Sequence, residues 1–292
     1  MTAVLLDGAA IARQVYSKLE QRIAALGRQG VRPGLAAVEV GANPASLLYI
    51  KNKVKACAAA GLHSEVHGLP ADCTETALLA TLDKLNRNPL IHGIIVQLPL
   101  PRGLDAERVL QSIAAEKDVD GFGWRSLGAL AGGRPLFIPG TPLAVTALLD
   151  HAGIAIEGRN AVVVGRSITV GRPMALLFIA RSATVTVCHS KTTDLASHTR
   201  RADILVVAAG RAGLVAGDMI KPGAVVIDVG INRLPDGKLV GDVEAESVKA
   251  RASYLTPVPG GVGPMTVAML IANTISAAEH SISAAQSARP LR

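Results

Sequence analysis

Short apolar runs that alternate with segments of helical periodicity constrain the fold of this chain more than any other feature. In its second half, four such runs lie at 161–165, 184–190, 203–210 and 224–230, each bounded by turn residues. Parallel sheets covered by helices on both faces are built from strands of this kind. The pattern therefore predicts an α/β fold with a Rossmann-like, doubly wound parallel sheet in this half.

The first half of the chain shows the same alternation and predicts a separate α/β domain. Its helix-like and strand-like segments, in chain order, are 7–27, 35–40, 45–60, 74–86 and 93–101. Asp7 is placed to cap the first helix. Residues 121–142 are rich in Gly and Pro and lack periodicity, so we place the domain boundary there.

Four segments describe the expected domain organisation. Residues 1–120 form the first domain, and an apolar helix at about 266–280 folds back to complete it. Residues 140–265 form the Rossmann-like domain. Residues 281–292 are small and polar, which predicts a flexible tail.

Composition excludes several classes of protein. The 292 residues are 49% hydrophobic and 18% charged, which is typical of a globular protein and not of a disordered one. Aromatic residues make up 2%, too few for a platform that stacks single-stranded nucleic acid. The net charge of +7 is scattered, which favours a small anionic substrate or phosphate cofactor over nucleic acid.

Targeting and cysteine signals are weak. No apolar run approaches the roughly 18 residues that span a bilayer, and no basic segment precedes the short apolar stretch at the N-terminus. We therefore expect neither membrane association nor a signal peptide. Three cysteines without CxxC spacing predict no disulfide framework and no metal site, and they favour a reducing cytoplasm.

The segment VVVGRSITVGRP (162–173) is typical of a strand, a glycine turn and the start of a helix. Gly165 permits a sharp turn, Gly171 permits close approach of the helix to the strand, and Ser167 stands between them. The first-turn amides of such a helix attract phosphate. An ordinary strand–helix turn explains the two glycines equally well, so this spacing alone leaves both interpretations open.

The end of the next strand indicates which dinucleotide would bind. NAD sites place an acid there to accept the ribose hydroxyls, but this strand ends in Cys188-His189-Ser190-Lys191. Arg166 in the turn and Ser190 suit a 2′-phosphate instead. The sequence therefore favours NADP, although His189 and Lys191 could also be a solvated strand end.

In the first half, Ser46, Tyr49, Lys53 and Cys57 recur along one face of a helix. Tyr49 and Lys53 can share a hydrogen bond, and a partly buried lysine can transfer protons. The alternative is a surface lysine whose stem packs beside a core tyrosine.

Three further features are candidates for ligand binding. Gln97 ends the strand at 93–96, where ligands bind in α/β sheets, or it bonds to a loop. Asp118 and Asp120 could bind a cation or an amino-heterocycle, or could cap a helix. Gly260 and Gly261, in the stiff loop at 256–266, permit close approach of a flat ligand, or the loop is a linker.

Six motifs together resemble the bifunctional methylenetetrahydrofolate dehydrogenase/methenyltetrahydrofolate cyclohydrolase family. In chain order they are NPASLLYIKNKVKAC (43–57), GIIVQLPLP (93–101), KDVDGF (117–122), VVVGRSITVGRPM (162–174), KPGAVVIDVGIN (221–232) and TPVPGGVGPMTVAML (256–270). The resemblance extends from about residue 4 to residue 279. It implies two domains separated by a cleft, with folate on the first and NADP on the second, and a homodimer.

The resemblance also implies roles for individual residues. Tyr49 stacks on the folate ring, Lys53 is the key cyclohydrolase residue, Gln97 supports it, and Asp120 holds the amino edge of the pterin. The remaining positions match the phosphate turn (Gly165, Arg166 and Ser167), the 2′-phosphate contact (Ser190), the nicotinamide side (Ile231) and the folate-facing loop (Gly260 and Gly261).

The expected function is NADP-dependent oxidation of methylenetetrahydrofolate and hydrolysis of the methenyl product to 10-formyltetrahydrofolate, in one-carbon metabolism and purine biosynthesis. The alternative is an NADP-dependent dehydrogenase of another small substrate with no hydrolase step. Two departures from the family pattern, at Gly123–Ser126 and at Gly140, fall in the segment between the domains. They leave every proposed catalytic position intact.

Overall fold

The structure, a computed structural model, describes residues 2–41 and 44–287, without the side chains of residues 44–49, 52, 285 and 287. The chain divides into two units, each with its own parallel sheet. The three-stranded unit comprises residues 15–138 and the chain from Leu270 onward. The six-stranded unit comprises the chain up to Gln14 and residues 139–269. The predicted α/β class with two domains is confirmed.

The described chain contains both strands and helices. The strands are β1 (Val4–Leu5), β2 (Gly34–Val40), β3 (His63–Leu69), β4 (Gly93–Val96), β5 (Asn160–Val164), β6 (Thr184–Cys188), β7 (Ile204–Val207), β8 (Val225–Asp228), β9 (Asn232–Arg233), β10 (Leu239–Val240) and β11 (Tyr254–Leu255). The helices are α1 (Gly8–Arg28), α2 (Pro44–Ala59), α3 (Glu75–Arg87), α4 (Ala106–Gln111), α5 (Trp124–Ala131), α6 (Gly140–His151), α7 (Gly171–Ala180), α8 (Leu195–Thr199), α9 (Ala245–Lys249) and α10 (Val262–Ser287).

The sheet of the three-stranded unit has the parallel order β3-β2-β4. Every residue of the central strand β2 is buried. One face of the sheet packs on leucines that recur at helical spacing in α3, namely Leu78, Leu82 and Leu85. A parallel bridge between Ile94 and Asp118 lays the segment around Asp118 alongside β4.

The sheet of the six-stranded unit is parallel throughout, with the order β1-β11-β8-β7-β5-β6. The chain begins its winding at β5, and the following strands β6 and β7 lie on opposite sides of it. The carboxyl ends of β5 and β7 therefore mark the point where the winding changes direction, which is where α/β sheets bind ligands. This is the predicted doubly wound sheet.

One boundary differs from that expected from the sequence. The N-terminal residues belong to the six-stranded unit, because β1 pairs with β11, far along the chain, and extends the sheet by one edge strand. The division between residues 138 and 139 falls inside the segment 121–142, and the chain up to 138 forms α5 in the three-stranded unit.

The C-terminal helix is longer than the sequence predicted. It continues to Ser287, so residues 281–287 are helical and not a flexible tail, while residues 288–292 lie outside the described part. Its last turns are rich in Ala, and the hydroxyl of Ser281 bonds back to the carbonyl of Ala278 at 2.8 Å. Within the described residues, no helix is both long and apolar enough to cross a membrane.

Candidate active site

The turn between β5 and α7 requires glycine at two positions. Gly165 has a φ of +132°, and a Cβ there would lie 2.2 Å from the carbonyl oxygen of Ala208 on the neighbouring strand segment. A Cβ on Gly171 would lie 2.2 Å from the carbonyl oxygen of Gly165. These contacts give the sharp turn and the close helix–strand approach that the sequence predicted.

Ser167 helps to start helix α7. Its hydroxyl oxygen accepts hydrogen bonds from the amides of Val170 at 3.1 Å and Gly171 at 3.3 Å. Those amides are among the donors that a helix leaves unpaired at its N-terminus. Ser167 thus holds the turn in shape, a role that the sequence pattern had not indicated.

A cavity of about 470 Å³ lies at the carboxyl ends of β5, β6 and β7. Four predicted cofactor residues line it together: Gly165, Arg166, Ser167 and Ser190. The other lining residues are Val164, His189, Thr192, Leu195, Ala208, Ala209, Arg211 and Leu214. The set includes two guanidinium groups and no carboxylate, so it fits a nucleotide that carries an additional phosphate.

The loop after β6 is held by local hydrogen bonds. The amide of His189 donates to the hydroxyl of Thr192 at 2.8 Å, and the amide of Lys191 donates to Nδ1 of His189 at 3.2 Å. His189 therefore shapes the loop that carries Ser190, and Ser190 lies at the cavity wall.

A second cavity in the same unit, of about 170 Å³, brings together Ile231, Gly260 and Gly261. Ile231 is 63% exposed, so its apolar side chain is accessible to a flat ligand. The amide of Ala9 donates to the carbonyl of Gly260 at 3.1 Å. A Cβ on Gly8 would lie 1.7 Å from the carbonyl oxygen of Gly261, so the start of α1 packs directly on this loop.

Asp228 lies beside this second cavity at the end of β8. Its carboxylate accepts hydrogen bonds from the amides of Gly230 and Asp242, both at 2.9 Å, and of Val243 at 3.1 Å. Burial nevertheless raises the pKa of Asp228 to about 6, against the lowering effect of these amides.

We expect a titration of Asp228 to show its raised pKa directly. The pKa of this carboxyl is near 4 in the unfolded chain and about 6 in the folded chain. Its contribution to the stability of the fold is therefore fully present below pH 4 and is lost as the pH rises through about 6. Carbon-13 NMR of the Asp228 carboxyl should give a midpoint near pH 6. A midpoint near pH 4 would show that water reaches the group.

The three-stranded unit holds the other candidate residues. Lys53 lies on α2 and is only 9% exposed, although its side chain carries an ammonium group. Burial raises the pKa of Asp120, and the charge of Lys53 partly offsets this, so the two groups interact electrostatically. Tyr49 lies one turn before Lys53 on α2, and its side chain is outside the described part of the structure, as is that of Ser46.

Gln97 and Asp120 come from neighbouring backbone segments. Gln97 directly follows β4, and its Nε2 donates to the carbonyl of Leu98 at 2.8 Å. Because the bridge from Ile94 to Asp118 runs parallel to β4, Asp120 emerges at the same end of the sheet as Gln97. Gln97 and Asp120 thus lie at the same end of the sheet, and the charge of Lys53 acts on Asp120.

The carboxylates of Asp118 and Asp120, which flank Val119, have different environments. Asp118 is almost fully buried and accepts hydrogen bonds from the amides of Phe122 and Gly123 and from the hydroxyl of Ser126. It therefore holds the turn into α5, as a cap does. Among the described residues, Asp120 does not share this set of donors.

The atypical residues after this segment have local explanations. Ser126 donates to Oδ2 of Asp118 at 2.6 Å, and a Cβ on Gly123 would lie 3.0 Å from the same oxygen. The amide of Trp124 donates to the side chain of Gln111 at 2.8 Å. These residues form the start of α5, and Gly140 forms the start of α6.

Cys57 lies one helical turn after Lys53 and is fully buried. Burial raises the pKa of its thiol to about 12, although the charge of Lys53 opposes the shift. The thiol therefore stays protonated at neutral pH and packs as a small apolar group.

Glu39 was missed by sequence reasoning. It is 4% exposed, and its Oε1 has no hydrogen-bond partner among the described residues. Because Val38 pairs with Val96, Glu39 lies beside Gln97, whose Oε1 also lacks a described partner. A single acid inside the apolar strand GLAAVEV was the signal that could have identified it.

We expect Glu39→Leu to raise the free energy of unfolding by about 1 kcal/mol, because a buried carboxylate oxygen without a donor costs stability. Urea denaturation of the variant and the wild type measures the difference. Glu39→Gln, which keeps the polar volume, is the control. A lower stability for Glu39→Leu would mean that the carboxylate is satisfied in solution.

Two family models match the two halves of the chain. One is described as the catalytic domain of tetrahydrofolate dehydrogenase/cyclohydrolase and matches residues 6–120. The other is described as the NAD(P)-binding domain of the same enzyme and matches residues 139–282. The chain belongs to the tetrahydrofolate dehydrogenase/cyclohydrolase family.

Relatives of this dehydrogenase/cyclohydrolase align over nearly its whole length. The "Bifunctional protein FolD" of Bordetella bronchiseptica is 57% identical, over 96% of this chain and 99% of the relative. The crystal structure of the bifunctional FolD enzyme from Campylobacter jejuni is 47% identical, with a TM-score of 0.94, over 96% of this chain and 99% of that one. The Trypanosoma brucei enzyme, complexed with NADP and an inhibitor, is 41% identical, with a TM-score of 0.92, over 97% of this chain and 99% of that one.

Membership of this family decides between the two functions that the sequence allowed. The chain is a bifunctional enzyme with NADP-dependent methylenetetrahydrofolate dehydrogenase and methenyltetrahydrofolate cyclohydrolase activities. Its substrate is a folate, and its cofactor is NADP. The predicted family, enzyme class and cofactor are confirmed. The alternative function, a dehydrogenase of another small substrate with no hydrolase step, is not adopted.

Proposed function

We propose that both reactions take place on folate held by Tyr49, Lys53, Gln97 and Asp120 in the three-stranded unit. The observation that carries this proposal is the buried lysine of α2, whose charge acts on the carboxylate of Asp120 at the edge where Gln97 also lies. A buried lysine without a chemical task would be expensive to retain.

Asp120 is proposed to bind the folate ring by accepting hydrogen bonds from its amino edge. Asp118 cannot bind the ring in this way, because its carboxylate oxygens already accept hydrogen bonds from the protein. Tyr49 stacks on the ring, as the resemblance implies, and leaves the reacting carbon between the ring nitrogens accessible. Positioning of this kind supplies much of the rate acceleration when the substrate itself stabilises the developing charge.

In the dehydrogenase step, bound NADP accepts the hydride that leaves the methylene carbon of the folate. The two folate nitrogens then share the positive charge, so no base is needed at this carbon. Ile231, Gly260 and Gly261 border the second cavity, and their contribution is to hold flat ligands in van der Waals contact. The chain therefore acts in this step mainly by orienting two rings.

In the hydrolysis step, water adds to the cationic methenyl carbon and must lose a proton. Lys53 is the proposed group for this proton transfer, and Gln97 supports it from the end of β4. The bond from the carbon to one ring nitrogen then breaks, and that nitrogen takes up a proton. The products are 10-formyltetrahydrofolate and one released proton.

The 470 Å³ cavity is proposed as the nucleotide site. Gly165, Arg166 and Ser167 form the phosphate turn, with Gly171 closing the helix against the strand, and Ser190 contacts the 2′-phosphate. Support comes from two arginines at the wall and from the lack of any carboxylate among the lining residues. A carboxylate there would repel the additional phosphate.

We expect Asp120→Asn to weaken folate binding by about 1–2 kcal/mol, because one acceptor becomes a donor that faces a donor of the ring. Both activities should fall together, since both use the same bound ring. Folate affinity by fluorescence quenching and unfolding by urea give the two readouts.

The matched control is Asp118→Asn, which should lower stability and leave the folate affinity of the remaining folded protein nearly unchanged. If Asp120→Asn instead lowers stability while folate affinity stays normal, then Asp120 is a structural residue.

We also propose that the enzyme is a cytoplasmic homodimer. The resemblance of its motifs to this family supports the dimer, and three free cysteines suit a reducing compartment. Light scattering on the purified chain tests the dimer, and fractionation of cells tests the compartment.

The test of the whole assignment is an assay with methylenetetrahydrofolate, run with NADP and then with NAD. We expect NADPH to form, the methenyl product to be hydrolysed, and NAD to be used less efficiently. Equal efficiency with both nucleotides would contradict the proposed roles of Arg166 and Ser190.

A further inference from the structure

Asp242 is fully buried in the six-stranded unit, and its carboxylate accepts four hydrogen bonds. Three come from consecutive amides: Ala209 at 2.6 Å, Gly210 at 2.8 Å and Arg211 at 2.9 Å. The fourth comes from Nδ2 of Asn232 at 2.9 Å. None of the roles proposed above uses this residue.

The three amides belong to the loop that follows β7. Ala208, Ala209 and Arg211 of this loop line the 470 Å³ cavity. Further along, the amide of Val215 donates to the carbonyl of Asp242 at 3.2 Å, so the loop lies along the segment that carries Asp242. The carboxylate therefore fixes the backbone of this cavity wall.

Consecutive amides that point to one place form a binding site for anions. Here the carboxylate of Asp242 occupies that site, so these amides are not available to a phosphate of the nucleotide. The group that this loop still offers to a ligand is the exposed side chain of Arg211.

The strand order decides which part of the nucleotide Arg211 meets. Ser190 follows β6, whereas Arg211 follows β7, and these strands flank β5 on opposite sides. The contact proposed for the 2′-phosphate lies on the β6 side. With the nucleotide in this cavity, Arg211 is therefore placed away from the 2′-phosphate contact and toward the portion that NADP and NAD share.

The carboxylate of Asp242 also bonds to a residue next to the second cavity. Asn232, its fourth donor, directly follows Ile231, which lines that cavity. The amide of Asp242 in turn donates to the carboxylate of Asp228 at 2.9 Å. One buried residue thus holds backbone next to both of the cavities described above.

We propose that Arg211 is a nucleotide-binding residue of this enzyme and that Asp242 is the positioning residue that holds the Arg211 loop at the cavity wall. The proposal rests on the placement of NADP in the 470 Å³ cavity. It assigns Arg211 to the portion common to both nucleotides, whereas Arg166 serves the additional phosphate.

The experiment measures the dissociation constants of NADP and NAD for Arg211→Ala by calorimetry. We expect both to rise by about tenfold and by the same factor, because a charge-assisted contact to the common portion is lost. Arg211→Lys, which keeps the charge, should recover part of the loss. Urea unfolding of the variant should match that of the wild type and serves as the control for folding.

Asp242→Asn tests the positioning role. It should weaken both nucleotides at least as much as Arg211→Ala does, and the double variant should bind no more weakly than Asp242→Asn alone, because both changes remove the same contact. Urea unfolding again shows whether the variant folds. If Asp242→Asn does not fold, Asp242→Ser, which is smaller and can still accept a hydrogen bond, takes its place.

Different outcomes separate this inference from the proposed site. If Arg166→Ala discriminates against NADP while Arg211→Ala changes neither nucleotide, the inference is wrong and the site stands. If Arg211→Ala weakens NADP alone, Arg211 binds the 2′-phosphate and its assignment to the common portion is wrong. If neither variant changes binding, the nucleotide lies elsewhere. Additive losses in the double variant would overturn the positioning role of Asp242.

Discussion

Lys53→Met is expected to lower the rate of methenyltetrahydrofolate hydrolysis by about 10²–10⁴-fold, the usual value of a positioned acid–base group. Methionine keeps much of the volume of the lysine stem and removes the amine. The dehydrogenase rate should fall far less, because hydride transfer needs no base at the reacting carbon and Asp120 still holds the folate. Hydrolysis is measured with methenyltetrahydrofolate alone, in the absence of NADP.

Lys55→Met is the matched control, since Lys55 lies on the same helix but is exposed. It should leave both activities at the wild-type level. Equal losses of both activities in Lys53→Met, with folding intact, would mean that Lys53 acts only by binding folate and would exclude the proton-transfer role. Wild-type hydrolysis by Lys53→Met would leave Lys53 without a chemical role.

Arg166→Ala should weaken NADP binding by about 1.5–3 kcal/mol, which is the contribution of a charge-assisted hydrogen bond. NAD lacks the additional phosphate, so its affinity should change much less. The preference for NADP over NAD should therefore fall by roughly 10- to 150-fold. Titration calorimetry with both nucleotides measures the two dissociation constants.

Arg172 offers a control for this variant, because it is an exposed arginine in the first turn of α7 that does not line the cavity. Arg172→Ala should leave the ratio of the two affinities unchanged. A wild-type enzyme that binds NADP and NAD equally would contradict the assignment of Arg166 before any variant is made.

Local patterns predicted those parts of the fold that depend on neighbouring residues. Asp7 accepts a hydrogen bond from the amide of Ala10, as expected of a helix cap. Gly165 and Gly171 make the close contacts that the spacing implied. The cap and the Gly171 contact can be read from sequence because their partners lie within a few residues, and Gly165 can be read because its turn needs a positive φ.

Other features depend on pairings that sequence periodicity does not encode. The two residues of β1 join a sheet through Tyr254 and Leu255, about 250 positions later in the chain. Asp118 and Asp120 have different roles because only one of the two carboxylates lies next to the amides at the start of α5. The bridge from Asp118 to Ile94 determines which one it is. Both carboxylates flank one valine, so their spacing alone could not assign them.

Acidic residues in apolar surroundings carry information that helix and strand periodicity overlooks. Glu39 stands inside a buried strand, and Asp242 stands between two short elements. Both side chains are buried, and a buried acid in a protein interior is rare unless it has a partner or a task. Asp242 has its partners, and two of them, Ala209 and Arg211, line the 470 Å³ cavity.

The central claim is that one bound folate serves two reactions and that Lys53 is needed for only one of them. The most direct test mixes methylenetetrahydrofolate and NADP with Lys53→Met and follows NADPH and the methenyl product together by stopped-flow absorbance. We predict that NADPH forms at a rate close to that of the wild type and that the methenyl product accumulates in nearly equal amount. Slow formation of NADPH without accumulation of the methenyl product would contradict the account.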